Sequence, residues 1–250
     1  MSVRRSQTGA RLLRVLEAMA EHQPIGARAL ARLTGEDKSA IHRAIMTLAD
    51  EGWVRPTAHA PIQWEVSPRI LTVAERAHGA YALKRRVRAA LERLRDDCGE
   101  TVVLIVVDVK NFVVADVVES PAMLRVVPPI GSIVPSDLTA ASRAILPYLS
   151  PERQAELLGR APDRKLTQVL ALTCKHGFAI SERDTNPAVA APIIESDGQP
   201  RAAIAVIGPS ERMTPERLKI FSELVVRTAS TLSSGVATTK IATGKTRGLK

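Results

Sequence analysis

Lys38, Ser39, His42, Arg43, Met46 and Thr47 are the positions left over when Ile41, Ala44, Ile45 and Leu48 are assigned to the apolar stripe of one helix. Arg43 carries two parallel N–H groups that match guanine O6 and N7, whereas Ser39 and His42, able to donate or accept, suit several bases. Lys38, Thr47 and, a few residues on, Arg55 and His59 fit phosphate oxygens better than base edges. Taken alone, such a face is also what any solvated helix presents. A second set lies at Asp137-Leu-Thr-Ala-Ala141, ahead of a helical pattern, where free backbone N–H groups at a helix start favour a carboxylate. Asp137 is expected to cap that helix.

Other chemistry is thinly represented. Cys174-Lys-His176 is the only close Cys and His pair and reads as structural, the five histidines are scattered, and Gly131-Ser-Ile-Val lacks a phosphate-binding partner motif. No Gly-x-Ser-x-Gly, His-Glu-x-x-His or phosphate-binding glycine loop occurs. The reading is therefore of no catalytic residue, no metal and no cofactor. Two cysteines make no disulfide framework, and the longest apolar stretch, Val102–Val107, is far below the roughly 20 residues that cross a bilayer. With no signal peptide visible at the N-terminus, the expectation is a cytoplasmic protein without a membrane partner.

The elements that must position these groups follow from periodicity. Leu12, Val15, Leu16 and Met19 form one helical stripe after Ser6, Gln7 and Thr8, and a second short helix spans Ala27 to Leu33, stopped by Gly35. Asp37 caps the third helix after a three-residue turn, which makes a helix-turn-helix. Trp53 to Pro56 and Ile62 to Val66 read as a hairpin wing around the loop 57–61. Arg69 to Ala80 and Ala82 to Asp97 are helical connectors. Beyond Gly99 the runs Thr101–Val109, Phe112–Val118 and Met123–Val127 read as strands, followed by helices near 138–149, 151–158 and 165–175, strands near 177–181, 188–194 and 201–208, and a last helix from Pro215 to about Leu232. Irregular alternation of strands and helices indicates an α+β domain around a largely antiparallel sheet.

Charge sharpens the division. The chain carries 35 Lys and Arg against 26 Asp and Glu, a net +9 that suggests a polyanionic partner. Residues 101–235 hold 14 of each sign, residues 1–80 hold 11 basic and 8 acidic, and residues 236–250 hold 4 basic and none acidic. Nucleic acid is thus expected at the N-terminal piece and not at the balanced one. Aromatic content of 3% argues against binding single strands by base stacking.

In order along the chain, Leu12-Leu13-Arg-Val-Leu16, Ala29-Leu-Ala-Arg-Leu-Thr-Gly35, Lys38-Ser-Ala-Ile-His-Arg43, Glu51-Gly-Trp-Val54, Cys98-Gly-Glu-Thr-Val102, Thr139-Ala-Ala-Ser-Arg-Ala144, His176-Gly-Phe178, Ala190-Ala-Pro-Ile193 and Gly208-Pro209 resemble the IclR family of bacterial transcriptional regulators. The resemblance covers about residues 7 to 235. The small, polar and basic residues after Ser234 predict a disordered tail over 235–250, and the resemblance implies a winged helix-turn-helix DNA-binding domain (1–67), linker helices (68–98) and a GAF-like effector-binding and oligomerisation domain (99–234). It also implies double-stranded DNA with a palindromic operator as partner, a homodimer or dimer of dimers, and a small-molecule effector, a carboxylic acid in kind. By the same resemblance Thr139, Ala140, Ala141 and Ser142 line one side of the effector site, with Ala188, Ala205 and Ile207 near the other. Those positions fit a core equally well.

Three departures stand against the pattern. Glu36-Asp37 replaces the family's Leu-Pro, Ser142 and Arg143 replace the glycine and lysine of its Gly-Lys-Ala element, and the segment between Phe178 and Pro192 is about three residues shorter. The first and the third keep open an alternative: a small-molecule-binding or catalytic domain with a vestigial helix-turn-helix.

Overall fold

The computed structural model describes residues 6–58, 61–76, 80–181, 186–195 and 197–233; His59 and the tail 235–250 lie outside the described residues. The chain divides into two compact units, Met1–His78 and Gly79–Lys250.

In the first unit three helices enclose a small core. α1 (Gln7–His22) opens at Ser6, whose hydroxyl accepts from the Gly9 N–H at 3.1 Å. α2 (Ala27–Thr34) ends at Gly35, whose φ of +66° is a conformation that glycine adopts without the Cβ penalty. α3 (Lys38–Asp50) opens at Asp37, which accepts from the N–H groups of Ser39 and Ala40 at 2.9 and 3.3 Å. Val15, Met19, Leu30, Ile41 and Ile45 are buried between these helices. β1 (Val54–Pro56) and β2 (Trp64–Val66) pair antiparallel, and Ile25 exchanges two backbone hydrogen bonds with Trp64, at 3.0 and 2.9 Å, so that the wing is stitched to the α1–α2 connection. α4 (Arg69–Arg76) follows; residues 77–79 of the helix expected to run to Ala80 lie outside the described residues.

The second unit begins with α5 (Ala80–Cys98). β3 (Thr101–Val107), β4 (Phe112–Val118), β5 (Ile133–Val134), β6 (Ala179–Ser181), β7 (Ala188–Ile194) and β8 (Pro200–Ile207) form one antiparallel sheet in the order β5-β4-β3-β8-β7-β6. α5 and α9 (Pro215–Leu232) cover one face, over Val102, Leu104, Val189, Ile204 and Val206. α6 (Ala140–Ile145), α7 (Pro151–Leu158) and α8 (Arg164–His176) lie on the other side, whose core contains Val103, Ile105, Ala190, Ala203 and Ala205. Burial on both faces explains why β3 reads as an unbroken apolar run and not as an alternation.

Two expectations are corrected. Met123–Val127 is not a strand: Pro121, Pro128 and Pro129 remove ladder donors on either side, Met123 is 97% exposed, and the strand that pairs with the outer edge of β4 is Ile133–Val134. The helix expected over 138–149 is only six residues of α-helix followed by a 3-10 turn at Leu146–Tyr148, because Pro147 cannot donate the next helical hydrogen bond.

Candidate functional site: an exposed helix face and a lined cavity

On α3 the apolar stripe turns inward and leaves Lys38, Ser39, His42, Arg43, Met46 and Thr47 exposed. Asp37 organises the start of this face. Its carboxylate accepts from the Ser39 hydroxyl as well as from two backbone N–H groups, and these bonds, the Ser39 hydroxyl first, hold its pKa below the usual aspartate value. The Ser39 oxygen in turn accepts from Arg43 Nη1 at 3.3 Å, which orients the guanidinium along the exposed surface. Thr47 donates its hydroxyl to the Arg43 carbonyl at 2.9 Å, while the side chains of Lys38 and His42 make no hydrogen bond or ion pair among the described residues. Arg55, on β1, faces Glu65 directly across the wing and bonds it at 2.7 Å, so its charge is already partnered.

Glu36, where the resemblance calls for leucine, is held by two cations of α1, Arg11 at 2.7 Å and Arg14 at 2.9 Å. These hydrogen bonds lower its pKa and replace an apolar contact between turn and helix by an ionic one. The turn therefore keeps its three-residue length with a charge at that position.

In the second unit a cavity of about 240 Å³ opens between the sheet and the start of α6. Its lining includes Thr139, Ala140, Ala141, Ala188, Ala205 and Ile207, together with Val103, Ile105 and Val114 from the sheet and Ile133 and Val134 from β5. Ser142 is fully buried instead, its hydroxyl engaged with the Thr139 hydroxyl at 2.8 Å and the Thr139 carbonyl at 3.0 Å. The cap of α6 is Thr139, which accepts from the Ser142 N–H; Asp137, expected in that role, instead pairs with Arg160 at 3.2 Å. The polar groups lining the cavity belong to Ser132, Thr139, Ser181 and Asn186, and none of the described lining residues is charged. Part of the shortened segment beyond Phe178, residues 182–185, lies outside the described residues.

Beside it lies a more polar cleft of about 470 Å³, bordered by Asp137, Arg143, Arg160, Asp163 and Lys165. The smaller cavity is the better candidate for a compact ligand, because its described walls are mostly apolar and their few polar groups are neutral. Sequence reasoning missed its contributors from β5 and the loop before it, which carry no periodic signal. Among the described residues no three His, Cys, Asp or Glu side chains cluster as a metal site, and no helix is long and apolar enough to cross a membrane.

A winged helix with an outward polar face, carried in one chain with an α+β unit around a ligand-sized cavity, defines a DNA-binding regulator with an effector domain. The chain belongs to the IclR family of bacterial transcriptional regulators: it matches the family's helix-turn-helix domain over residues 10–58 and its C-terminal domain over residues 77–234. It is 28% identical over 240 residues to the acetate operon repressor of Salmonella typhimurium, covering 89% of this chain and 87% of that protein. It is 26% identical over 249 residues to the transcriptional regulator BhcR of Paracoccus denitrificans, covering 92% and 87%. Among solved structures, an IclR regulator from Silicibacter superposes with a TM-score of 0.77 at 22% identity, covering 90% of this chain and 94% of that one. An IclR homologue from Microbacterium hydrocarbonoxydans, complexed with 4-hydroxybenzoate, superposes with a TM-score of 0.75 at 19% identity, covering 90% and 99%. At those identities the two structures support the fold alone.

Proposed function

We propose that this regulator is a cytoplasmic, non-enzymatic homo-oligomer that reads a palindromic operator with α3 and is tuned by a small monocarboxylic acid in the cavity of its second unit. The observation that carries the DNA reading is the division of α3, with Ile41, Ala44, Ile45 and Leu48 inside and Ser39, His42 and Arg43 outside and linked through the Asp37 cap. Arg43 reads a guanine, Ser39 and His42 read neighbouring base edges, and Lys38 and Thr47 contact phosphate. Arg55 contributes only when phosphate competes with Glu65, and His59 extends the wing contact. Residues 68–98 act as the linker between the two activities.

The cavity narrows the ligand class. Small walls such as Ala140, Ala141, Ala188 and Ala205 leave room for an aromatic or branched aliphatic body, and hydroxyl and amide groups hold one acidic end. Among the described lining residues no cation compensates a dianion, which favours a single acidic group.

A mobility-shift titration against a duplex selected from random-sequence DNA tests the first half. Binding at least about a thousandfold tighter than to a scrambled duplex supports it; equal, weak binding to both overturns it and favours the alternative of a vestigial helix-turn-helix. For the second half, thermal shift with benzoate, 4-hydroxybenzoate and hexanoate is set against phthalate and phosphate. Stabilisation by the dianions alone contradicts the assignment.

A further inference from the structure

β4 changes face in the middle. Leu104 of β3 pairs with Asp116 and Ile105 with Val114, so Ala115 is an extra residue with no partner. The bulge shifts the alternation by one, and Asp116, which would otherwise share the cavity side with Phe112 and Val114, turns to the face covered by α5. There its carboxylate, 1% exposed, meets two cations of that helix: Arg88 Nη1 lies 3.0 and 3.1 Å from its two oxygens, and Lys84 Nζ lies 3.3 Å from Oδ1. Arg88 also donates to the Val117 carbonyl at 3.2 Å, and the Val117 N–H donates to Asp116 Oδ1 at 3.0 Å.

Lys84 and Arg88 are four residues apart on one face of the N-terminal half of α5, the half that the chain enters from the DNA-binding unit. The apolar contacts of the same helix, through Leu83, Val87, Leu91 and Leu94, are non-directional and tolerate a small rotation or slide. A buried carboxylate shared by two cations is directional, and it fixes the register of α5 against β4. Two residues earlier Val114 lines the cavity, and the β5 residues paired beside it, Ile133 and Val134, line it too. The unpaired Ala115, between Val114 and Asp116, interrupts the ladder where that wall meets the anchor.

We propose that Asp116 is the positioning residue that transmits occupancy of the cavity to α5, through Arg88 and Lys84. This rests on the reading of the cavity as the effector site, and the test separates the two. Filling the cavity from its own wall with Ala205→Phe supplies a built-in occupant, so no ligand need be identified. Affinity for the selected duplex is measured by fluorescence anisotropy for the full chain, for A205F, for D116N and for the double variant. The expected result is a change of about tenfold on filling in the parent, and less than twofold in the D116N background.

An equal change in both backgrounds overturns the role of Asp116 and leaves the cavity as the effector site. No change on filling the parent overturns the effector reading itself, and the proposal with it. Should D116N melt early, the triple variant K84M/R88M/D116L removes all three charges together and replaces them by apolar volume, an exchange that buried ion pairs often tolerate. In that background too the response to A205F must vanish, and a full response there overturns the proposal.

Discussion

The two units treat their chemistry in opposite ways. In the first, the groups that can meet a partner are those the core rejects: α3 buries Ile41 and Ile45 and leaves Ser39, His42 and Arg43 in solvent. In the second, the groups that can meet a ligand belong to the core. Ala140, Ala141, Ala188 and Ala205 are at once buried packing residues and cavity walls. A surface site can change one side chain without disturbing the fold, whereas a cavity site shares many of its walls with the core. DNA recognition and ligand recognition in this chain should therefore respond differently to the same size of mutation.

The strongest challenge to that contrast is Ile41→Ala. Removing a fully buried side chain from the small first core should cost about 2–5 kcal/mol. Thermal unfolding followed by circular dichroism should show an early transition for the first unit with the second unit unmoved. A shift of the whole curve would mean that the two cores are not independent.

Next comes Ala205→Phe. Binding of a suitable acid at a hundred times its Kd should stabilise the parent by about 2.7 kcal/mol, and the filled variant should show no ligand shift while still discriminating between duplexes. Retention of the ligand shift would move the effector site elsewhere.

Asp37 sharpens the other side. Its folded pKa is lowered, so its support of α3 is complete above the ordinary aspartate value of about 3.9 and is lost as pH falls through the lower folded value. The stability difference between the parent and Asp37→Ala should hence be constant from neutral pH down to roughly pH 5 and shrink in stronger acid. A difference that grew on acidification would contradict the cap.

The smallest effect concerns residues 236–250, which carry four basic and no acidic groups. Deleting them should weaken binding to all duplexes alike and reduce the salt slope by roughly 0.9 for each phosphate that the tail no longer neutralises. If preference for the selected duplex disappeared as well, the reading surface would not lie on α3 alone.

What is legible in the sequence follows the same contrast. The α3 stripe, the Asp37 cap and the Gly35 stop are local signals, each decided by residues within one turn of helix, and all three are present. β3 is legible because burial on both faces leaves no polar interruption from Val102 to Val107. The exposed run Met123–Val127 misleads because β-branched composition does not report the missing donors of Pro121, Pro128 and Pro129. Asp116 is invisible, since in Phe112–Val118 it looks like the solvent-facing member of an alternation. Only the bulge at Ala115 and the cations of α5, about thirty residues earlier, turn it into a buried anchor. The cavity is legible only in part: Thr139 to Ala141 and Ala188, Ala205 and Ile207 fall on its walls, but nothing in small apolar residues separates a lining position from a filling one.

The most direct measurement is the base preference of Arg43→Ala. Each position of the selected duplex is substituted in turn, and affinities are compared for the parent and the variant by anisotropy at one fixed salt concentration. In the parent, replacing one guanine in each half-site should cost about 1–3 kcal/mol, and in Arg43→Ala that position alone should become indifferent while the others keep their order. Uniform weakening at every position, or an unchanged guanine preference, would contradict the assignment of base reading to the exposed face of α3.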